Sequence, residues 1–569
     1  MAPNSLFAGS AVFALATVGL LHPSFVAGTV VPRQGLLDSI IIPNADNVLG
    51  YLTLPTEVPG LPGVQVQWTS SHPEVVSDKA NGTIAAGVVN RPAIGSSPVT
   101  VTLTACVTIG HCQQNCRQIS VTVQPSVKVA QFSRYAMANF ARSNSQPGQQ
   151  VYMATSLGNE ATTWVATNAG DAVLVSSKGM HGTRDPFVVR SPEGDRFYLI
   201  ATDLNVDATE YGWQGWDWAQ SGASRYIEVW ESYDLRNWSE QRHVLVAPEE
   251  AGMTFAPESI WDPQIGAYVV YWTSSMYPAG TSYSSDRNAT NGRYPLTRGQ
   301  SIYTTTRDFI TFTPAKVMSG RPGHGTLDPS IVQDEGFYHR FVSDRISTGV
   351  NLTTYARCES EDIYQERARS ILAPENEWEL VESCITHDTM NTTYAEGPMI
   401  IRSNPGDPRG KGYYLYADQR WDGSPSGLPM EQQYHPYWTE DIAKPKWKPI
   451  DWTQKPDYKL SQGVIRHGSI WAVTTAEHAA LRGADLVAIE VTSPNKSIYR
   501  VGEPLDLAGM VVSALYSDGI QDDELFEGHG GYSVTGFNAF VVGIQLVEVT
   551  YTVVDTTRTA SFEVDVQDG

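Results

Sequence analysis

Short apolar runs recur along nearly the whole chain, each bounded by Gly, Pro, Asn or Asp. In the middle, RFYLIATD (196–203), AYVVYWTS (267–274), GFYHRFVSD (336–344) and GYYLYADQ (412–419) are rich in aromatic and β-branched residues. They are too short for helices and predict half-buried or fully buried strands. Near the start, VQVQW, TVTLTACVTI and QISVTVQ alternate or run apolar. Near the end, LVAIEVTSP, LVEVTYTV and ASFEVDV do the same. The prediction is an all-β protein.

The central runs are periodic. Each follows one of five landmarks: RDPFVV at Asp185, APESIW at Glu258, LDPSIV at Asp328, EGPMII at Glu396 and RHGSIW at His467. Their spacings are 73, 70, 68 and 71 residues. The first and third are near copies, GTRDPFVVRSPEGDRFY and GTLDPSIVQDEGFYHRF. A second landmark interleaves with the first: a strand, a polar turn and an aromatic, as in IEVWESYDLRNW and IYTTTRDFITF. It is blurred only near RARSILAPENEW. Two landmarks in each of five repeats predict four-stranded blades, hence a five-bladed β-propeller over 126–478. Residues 38–124, with VQWTSSHPEVVS and NGTI, resemble the atrophied immunoglobulin-like modules found beside carbohydrate-active enzymes. Residues 484–567 resemble a bacterial-type immunoglobulin-like domain. The flanks are expected to be β-sandwiches and to serve as spacer or scaffold.

Equivalent positions of successive blades converge on the propeller axis. A repeated core position should be apolar or small, yet here it is carboxylate four times and then histidine. Crowded carboxylates repel and shift one another's pKa values. Two carboxyl groups across a cleft are the apparatus of glycoside hydrolysis, one protonated to serve the leaving oxygen and one ionised. For Asp185 and Asp328 alone, Asp-Pro is also a plain turn former. The register shared with Glu396 favours chemistry.

These motifs resemble glycoside hydrolase family 43 over about 350 of the 569 residues. The resemblance implies a five-bladed propeller acting by inversion, with Asp185 as base, Asp328 tuning the acid and Glu396 in AEGPMIIR as general acid. Glu258, in FAPESIW, is expected beside substrate hydroxyls. In that family a last-blade histidine near the axis often binds calcium or sodium, so His467 is a candidate metal residue; no other cofactor is implied. The chain departs from the family in one respect. Some 55 propeller-like residues precede Asp185, and they are expected to close the ring with the last blade.

The indoles of YGWQGWDWAQ, Trp213, Trp216 and Trp218, are placed either to stack sugars at the pocket rim or to pack against a neighbouring domain. Arg420 and Trp421 in DQRWD, His435 in YHPYW and His324 are further candidates for the pocket wall. The substrate implied is a plant-type pentose polymer or oligosaccharide, an α-L-arabinofuranoside first, with β-xyloside and arabinan as alternatives. An invertase-like propeller shares Arg-Asp-Pro but opens on Asn-Asp-Pro-Asn, which is absent here. A sugar-binding propeller without activity would not need Asp185, Asp328 and Glu396 together.

The net charge of −22 argues against nucleic acid and anionic membrane partners. The 15 Trp and 27 Tyr suit sugar faces, although filling β-cores is their commoner use. The apolar run Leu6–Leu21, ending in small residues at Ala27 and Gly28, is expected to be a signal peptide over 1–28. Asn-x-Ser/Thr triplets at Asn81, Asn237, Asn288, Asn351, Asn391 and Asn495 agree with secretion. Five cysteines in an oxidising compartment predict that Cys358 pairs with Cys384 and that two of Cys106, Cys112 and Cys116 pair. A secreted monomer is expected.

Overall fold

Five antiparallel four-stranded sheets make up the middle of the chain in the computed structural model, which describes residues 35–109, 113–141, 149–294, 296–319, 325–345, 361–390, 392, 394–420, 433–450 and 465–568. The first blade runs Thr183–Arg190, Phe197–Asp203, Tyr226–Ser232 and Arg242–Leu245. The second starts at Phe255–Asp262, the third at Gly325–Asp334 and the fourth at Tyr394–Arg402. The fifth takes only its inner strand, Ile465–Val473, from the end of the propeller. Its three outer strands, Arg134–Ala141, Tyr152–Ser156 and Trp164–Ala166, come from the segment that precedes Asp185. The early residues therefore close the ring by completing the last blade around its inner strand.

The second strands are the most buried, since each lies inside its own sheet and between neighbouring blades. Leu199, Ile200 and Ala201 of the first blade, and Tyr414, Leu415 and Tyr416 of the fourth, are fully buried. The aromatics of the repeat thus fill the spaces between blades, as in the cluster of Tyr135, Trp164, Tyr414, Tyr416 and Tyr434.

The N-terminal unit has one three-stranded sheet, Gln67–Ser70, Val99–Ile109 and Gln113–Val123. The opposite side of its core is held by single bridges such as Val76↔Val89. It docks on the propeller through Arg91, whose Nη2 lies 2.6 Å from Asp195. Arg307 returns the contact, donating to the carbonyls of Leu52 and Ala85. The C-terminal unit is a sandwich of a three-stranded and a four-stranded sheet. A short helix, Thr475–Leu481, joins it to the last blade. Thr474 and Glu477 form a capping box at its start. Among the described residues no helix is long and apolar enough to cross a membrane.

Cys106 pairs with Cys116 across the Val99–Ile109/Gln113–Val123 hairpin. Closing so short a loop removes about 3 kcal/mol of unfolded-chain entropy. Replacing both cysteines with serine should therefore lower the melting temperature of the N-terminal unit without affecting turnover, a result that calorimetry and activity assay can separate. Cys384 is disulfide-bonded, while Cys112 and Cys358 lie outside the described residues. So do the 1–28 segment, His324, Trp421, Asn351 and Asn391.

Candidate active site

Each inner strand is interrupted at one place by a β-bulge. The register shifts between Arg184 and Phe187, Phe255 and Glu258, Leu327 and Ser330, Glu396 and Met399, and Arg466 and Ser469. In four blades the bulge is a left-handed residue followed by proline: Asp185 (φ 52°), Ala256 (48°), Asp328 (51°) and Gly397 (57°). Proline has no N–H to leave unpaired at a bulge, and Asp and Gly tolerate positive φ better than most residues. In the fifth blade His467-Gly468 takes this place; a Cβ on Gly468 would meet the Ala138 carbonyl oxygen at 2.1 Å.

The proline, not the acid, therefore marks equivalence. One ring of positions is Asp185, Ala256, Asp328, Gly397 and His467, spaced 71, 72, 69 and 70 residues apart. The residue before each forms a second ring: Arg184, Phe255, Leu327, Glu396 and Arg466. Every member of this second ring, together with Asp185, Asp328 and His467 of the first, lines a single cavity of about 280 Å³. Leu204, Trp216 and Tyr394 complete its wall.

The charges in this cavity are ordered. His467 Nε2 lies 2.7 Å from Asp185 Oδ1 and 3.7 Å from Asp328 Oδ2, and its Nδ1 lies 3.2 Å from Asp418 Oδ2. Burial opposes charge on this imidazole, but Asp185 and Asp418 outweigh it and push its pKa up to about 10. Gly397 is needed beside it, because a Cβ there would stand 2.3 Å from His467 Cγ. Burial would raise Asp185, yet His467 and Arg184, with a 2.7 Å hydrogen bond from Thr202 Oγ1, pull it down to about 2. Asp328 goes the other way. Burial, and then the charges of Glu396 and Asp185, push it up to about 7 despite His467 and a 3.1 Å hydrogen bond from the Gly397 N–H. Burial also raises Glu396, but its ion pair with Arg466 dominates and lowers it; Tyr394 donates to its other oxygen. Asp418 is fully buried, accepts from Arg466 Nε at 2.9 Å and is lowered by Arg466 and His467 against its burial.

The cavity thus brings together Asp185, Asp328, Glu396 and His467, on one face of the propeller. Glu258 is not in its wall. It lies two residues beyond the bulge position, one layer deeper, where Tyr271 donates to it at 3.1 Å. Burial raises its pKa well above the usual range. Aligning acids rather than prolines placed Glu258 in the ring; aligned on proline it stands two residues past the ring position held by Ala256. Trp216 stands at the mouth, half exposed. Trp213 backs it edge-on at 5.2 Å, and Trp218 lies buried behind at 6.0 Å. His435 is buried on the strand Gln433–Thr439, away from the cavity wall. Arg420 ends the strand Tyr413–Arg420; its side chain lies outside the described residues.

A hard cation such as calcium wants about six to eight oxygen ligands. Here the oxygens of Asp418 and Glu396 are held by the Arg466 guanidinium, and both nitrogens of His467 face carboxylates. Glu396, Asp418 and His467 each bring one ligand atom within 4.8 Å of the others, two oxygens and one nitrogen where calcium takes about six to eight oxygens.

The glycosyl hydrolase 43-related family, described as "Probable glycosyl hydrolase domain", matches residues 130–479. An atrophied bacterial Ig domain matches 40–126, and a bacterial Ig-like domain of group 3 matches 492–566. An alpha-L-arabinofuranosidase of Bifidobacterium longum subsp. longum is 29% identical over 516 residues, covering 79% of this chain. The chain spans 45% of that relative's length. Among solved structures, an exo-1,5-alpha-L-arabinanase from a bovine ruminal metagenomic library is 13% identical with a TM-score of 0.35, covering 57% of this chain and 97% of that one. An alpha-L-arabinofuranosidase from Clostridium thermocellum is 12% identical with a TM-score of 0.34, covering 63% and 95%.

Proposed function

The chain belongs to the glycosyl hydrolase 43-related family, and from that premise we propose that it is an inverting glycosidase of the α-L-arabinofuranosidase type, acting outside the cell on pentose-containing plant polysaccharides. The observation that carries the mechanism is one cavity walled by three carboxyl groups, Asp185, Asp328 and Glu396, of which burial and like charges raise Asp328 while cations, against burial, lower the other two. The identity of the sugar is supported by the relative named alpha-L-arabinofuranosidase. Secretion is supported by the apolar N-terminal run and the Asn-x-Ser/Thr triplets.

Asp185 is the base. Ionised and fixed by Thr202 and His467, it takes a proton from water as that water attacks the anomeric carbon. Glu396 is placed to protonate the departing oxygen. It is ion-paired with Arg466 when no sugar is bound, and burial together with its charge keeps a proton on Asp328; the two carboxyls titrate together, so when the ion pair opens on the sugar Glu396 takes up a proton as Asp328 ionises. Inversion needs room for the water, with base and acid carboxyls about 6.5–9.5 Å apart. Proton NMR of the first product from aryl α-L-arabinofuranoside and aryl β-xyloside tests both sugar and stereochemistry. An inverted anomer from the arabinoside is expected; a retained anomer would remove Asp185 as base.

The pH profile follows from the same groups. Asp328 must carry its proton, so kcat/KM should fall as pH rises through about 7. Asp185 must be ionised, so the acid limb should lie near its pKa of about 2. A profile flat from pH 5 to 9 would exclude Asp328 as the proton store, and Asp328→Asn should abolish the upper limb.

A further inference from the structure

Three cations line the cavity: Arg184, Arg466 and His467. Arg466 is engaged with Glu396 and Asp418, and His467 with Asp185 and Asp418. Arg184 is different. Among the described residues it has no ion pair, and its hydrogen bond runs from Nη1 to the neutral amide oxygen of Gln149 at 3.1 Å. It is nevertheless only 8% exposed. Its guanidinium lies 4.5 Å from the Phe140 ring and 5.9 Å from that of Trp216. Burial, and then Arg466, lower its pKa to about 10, so the site is costly for a cation without an acceptor. A guanidinium in that position calls for a group that accepts from its remaining N–H donors.

The charge balance says which acceptor. With Asp328 protonated, the anions Asp185, Glu396 and Asp418 are matched by Arg184, Arg466 and His467. A ligand carboxylate would unbalance the site and face Asp185 directly. Neutral oxygens would not. The planar fork of arginine presents parallel N–H groups, a match for two adjacent oxygens. We infer that Arg184 is the specificity residue of the glycosidase site, donating to the vicinal O2 and O3 hydroxyls of a neutral pentofuranose whose face Trp216 covers. This rests on the function proposed above.

The test measures binding apart from turnover, in the Glu396→Gln background, by calorimetry and by tryptophan fluorescence. The ligands are methyl α-L-arabinofuranoside, its 2-, 3- and 5-deoxy analogues, and D-galacturonate. Arg184→Met should weaken the parent glycoside by roughly 10- to 100-fold, the size of hydrogen bonds to a charged donor. The 2- and 3-deoxy sugars, each keeping one of the two contacts, should bind the Arg184-containing protein more weakly than the parent and lose less than the parent in Arg184→Met, whereas the 5-deoxy sugar should behave as the parent. Arg184→Lys, which keeps the charge without the fork and controls for folding, should recover only part of the affinity. Equal binding with and without Arg184, or an equal loss for all four neutral sugars, would overturn the inference. Tighter binding of galacturonate than of the arabinoside would overturn it too, in favour of carboxylate recognition. If the Arg184-containing protein binds and wild type hydrolyses the arabinoside while Arg184→Met matches it, the inference alone fails. If no saccharide binds and none is hydrolysed, the glycosidase reading falls and this inference with it.

Discussion

Asp185→Asn is expected to lower turnover of an arabinoside by at least ~10³-fold with little change in KM, because general-base assistance is lost while the shape of the site remains. Asparagine can still accept from Thr202 Oγ1, now 2.7 Å from Asp185 Oδ2, so the bulge at Asp185-Pro186 has no cause to unfold. The neighbouring His467 loses its nearest anion, and its pKa should fall from about 10. That shift can be followed by NMR of the imidazole in the same variant. A smaller variant, Asp185→Gly, adds a chemical test. Azide needs no deprotonation to attack the anomeric carbon, so it should restore turnover and yield a glycosyl azide of inverted configuration. Residual activity above a tenth of wild type in Asp185→Asn would instead assign the base elsewhere.

Much of the architecture was legible in the sequence because a propeller repeats its backbone problem. The bulged inner strand needs a left-handed residue and then proline, so Asp185-Pro186, Ala256-Pro257, Asp328-Pro329 and Gly397-Pro398 recur in phase. Closure by the residues before Asp185 was equally visible, since those strands had no other place in a five-fold repeat. The misplaced residue, Glu258, shows the limit. Its acid matched the pattern of charges but not the pattern of backbone, and it is buried against Tyr271 rather than set in the cavity wall. The cations Arg184 and Arg466 stood inside the quoted motifs RDPFVV and RHGSIW, and aligning on proline would have put both on the rim with Glu396. Asp418 was harder. It sits on the second strand of the fourth blade opposite Glu396, and the pairing of two strands is what turns GYYLYADQ from a core strand into part of the site. Tyr394 likewise acts through its neighbour, two residues away on the same face of the same strand.

The second large effect separates Glu396 from Asp328. A general acid matters in proportion to how poor the leaving group is. Glu396→Gln should therefore cost ~10²- to 10⁴-fold on an alkyl arabinoside or an arabino-oligosaccharide, and almost nothing on a dinitrophenyl arabinoside, whose leaving group needs no proton. Asp328→Asn should slow both, because Asp328 holds charge and sugar as well as the proton, and its loss disturbs Gly397 and His467 together. The opposite pattern has a physical basis, since Asp328 is raised to about 7 whereas Glu396 is lowered by Arg466. If Asp328→Asn shows the leaving-group dependence and Glu396→Gln does not, Asp328 donates its proton directly, and the Glu396–Arg466 pair serves to hold the sugar. Arg466→Met decides how the two are linked. Removing the guanidinium should raise the pKa of Glu396; if Glu396 is the donor, adding Asp328→Asn to this variant should leave an upper limb in place, whereas if Asp328 is the donor the double variant should lose it.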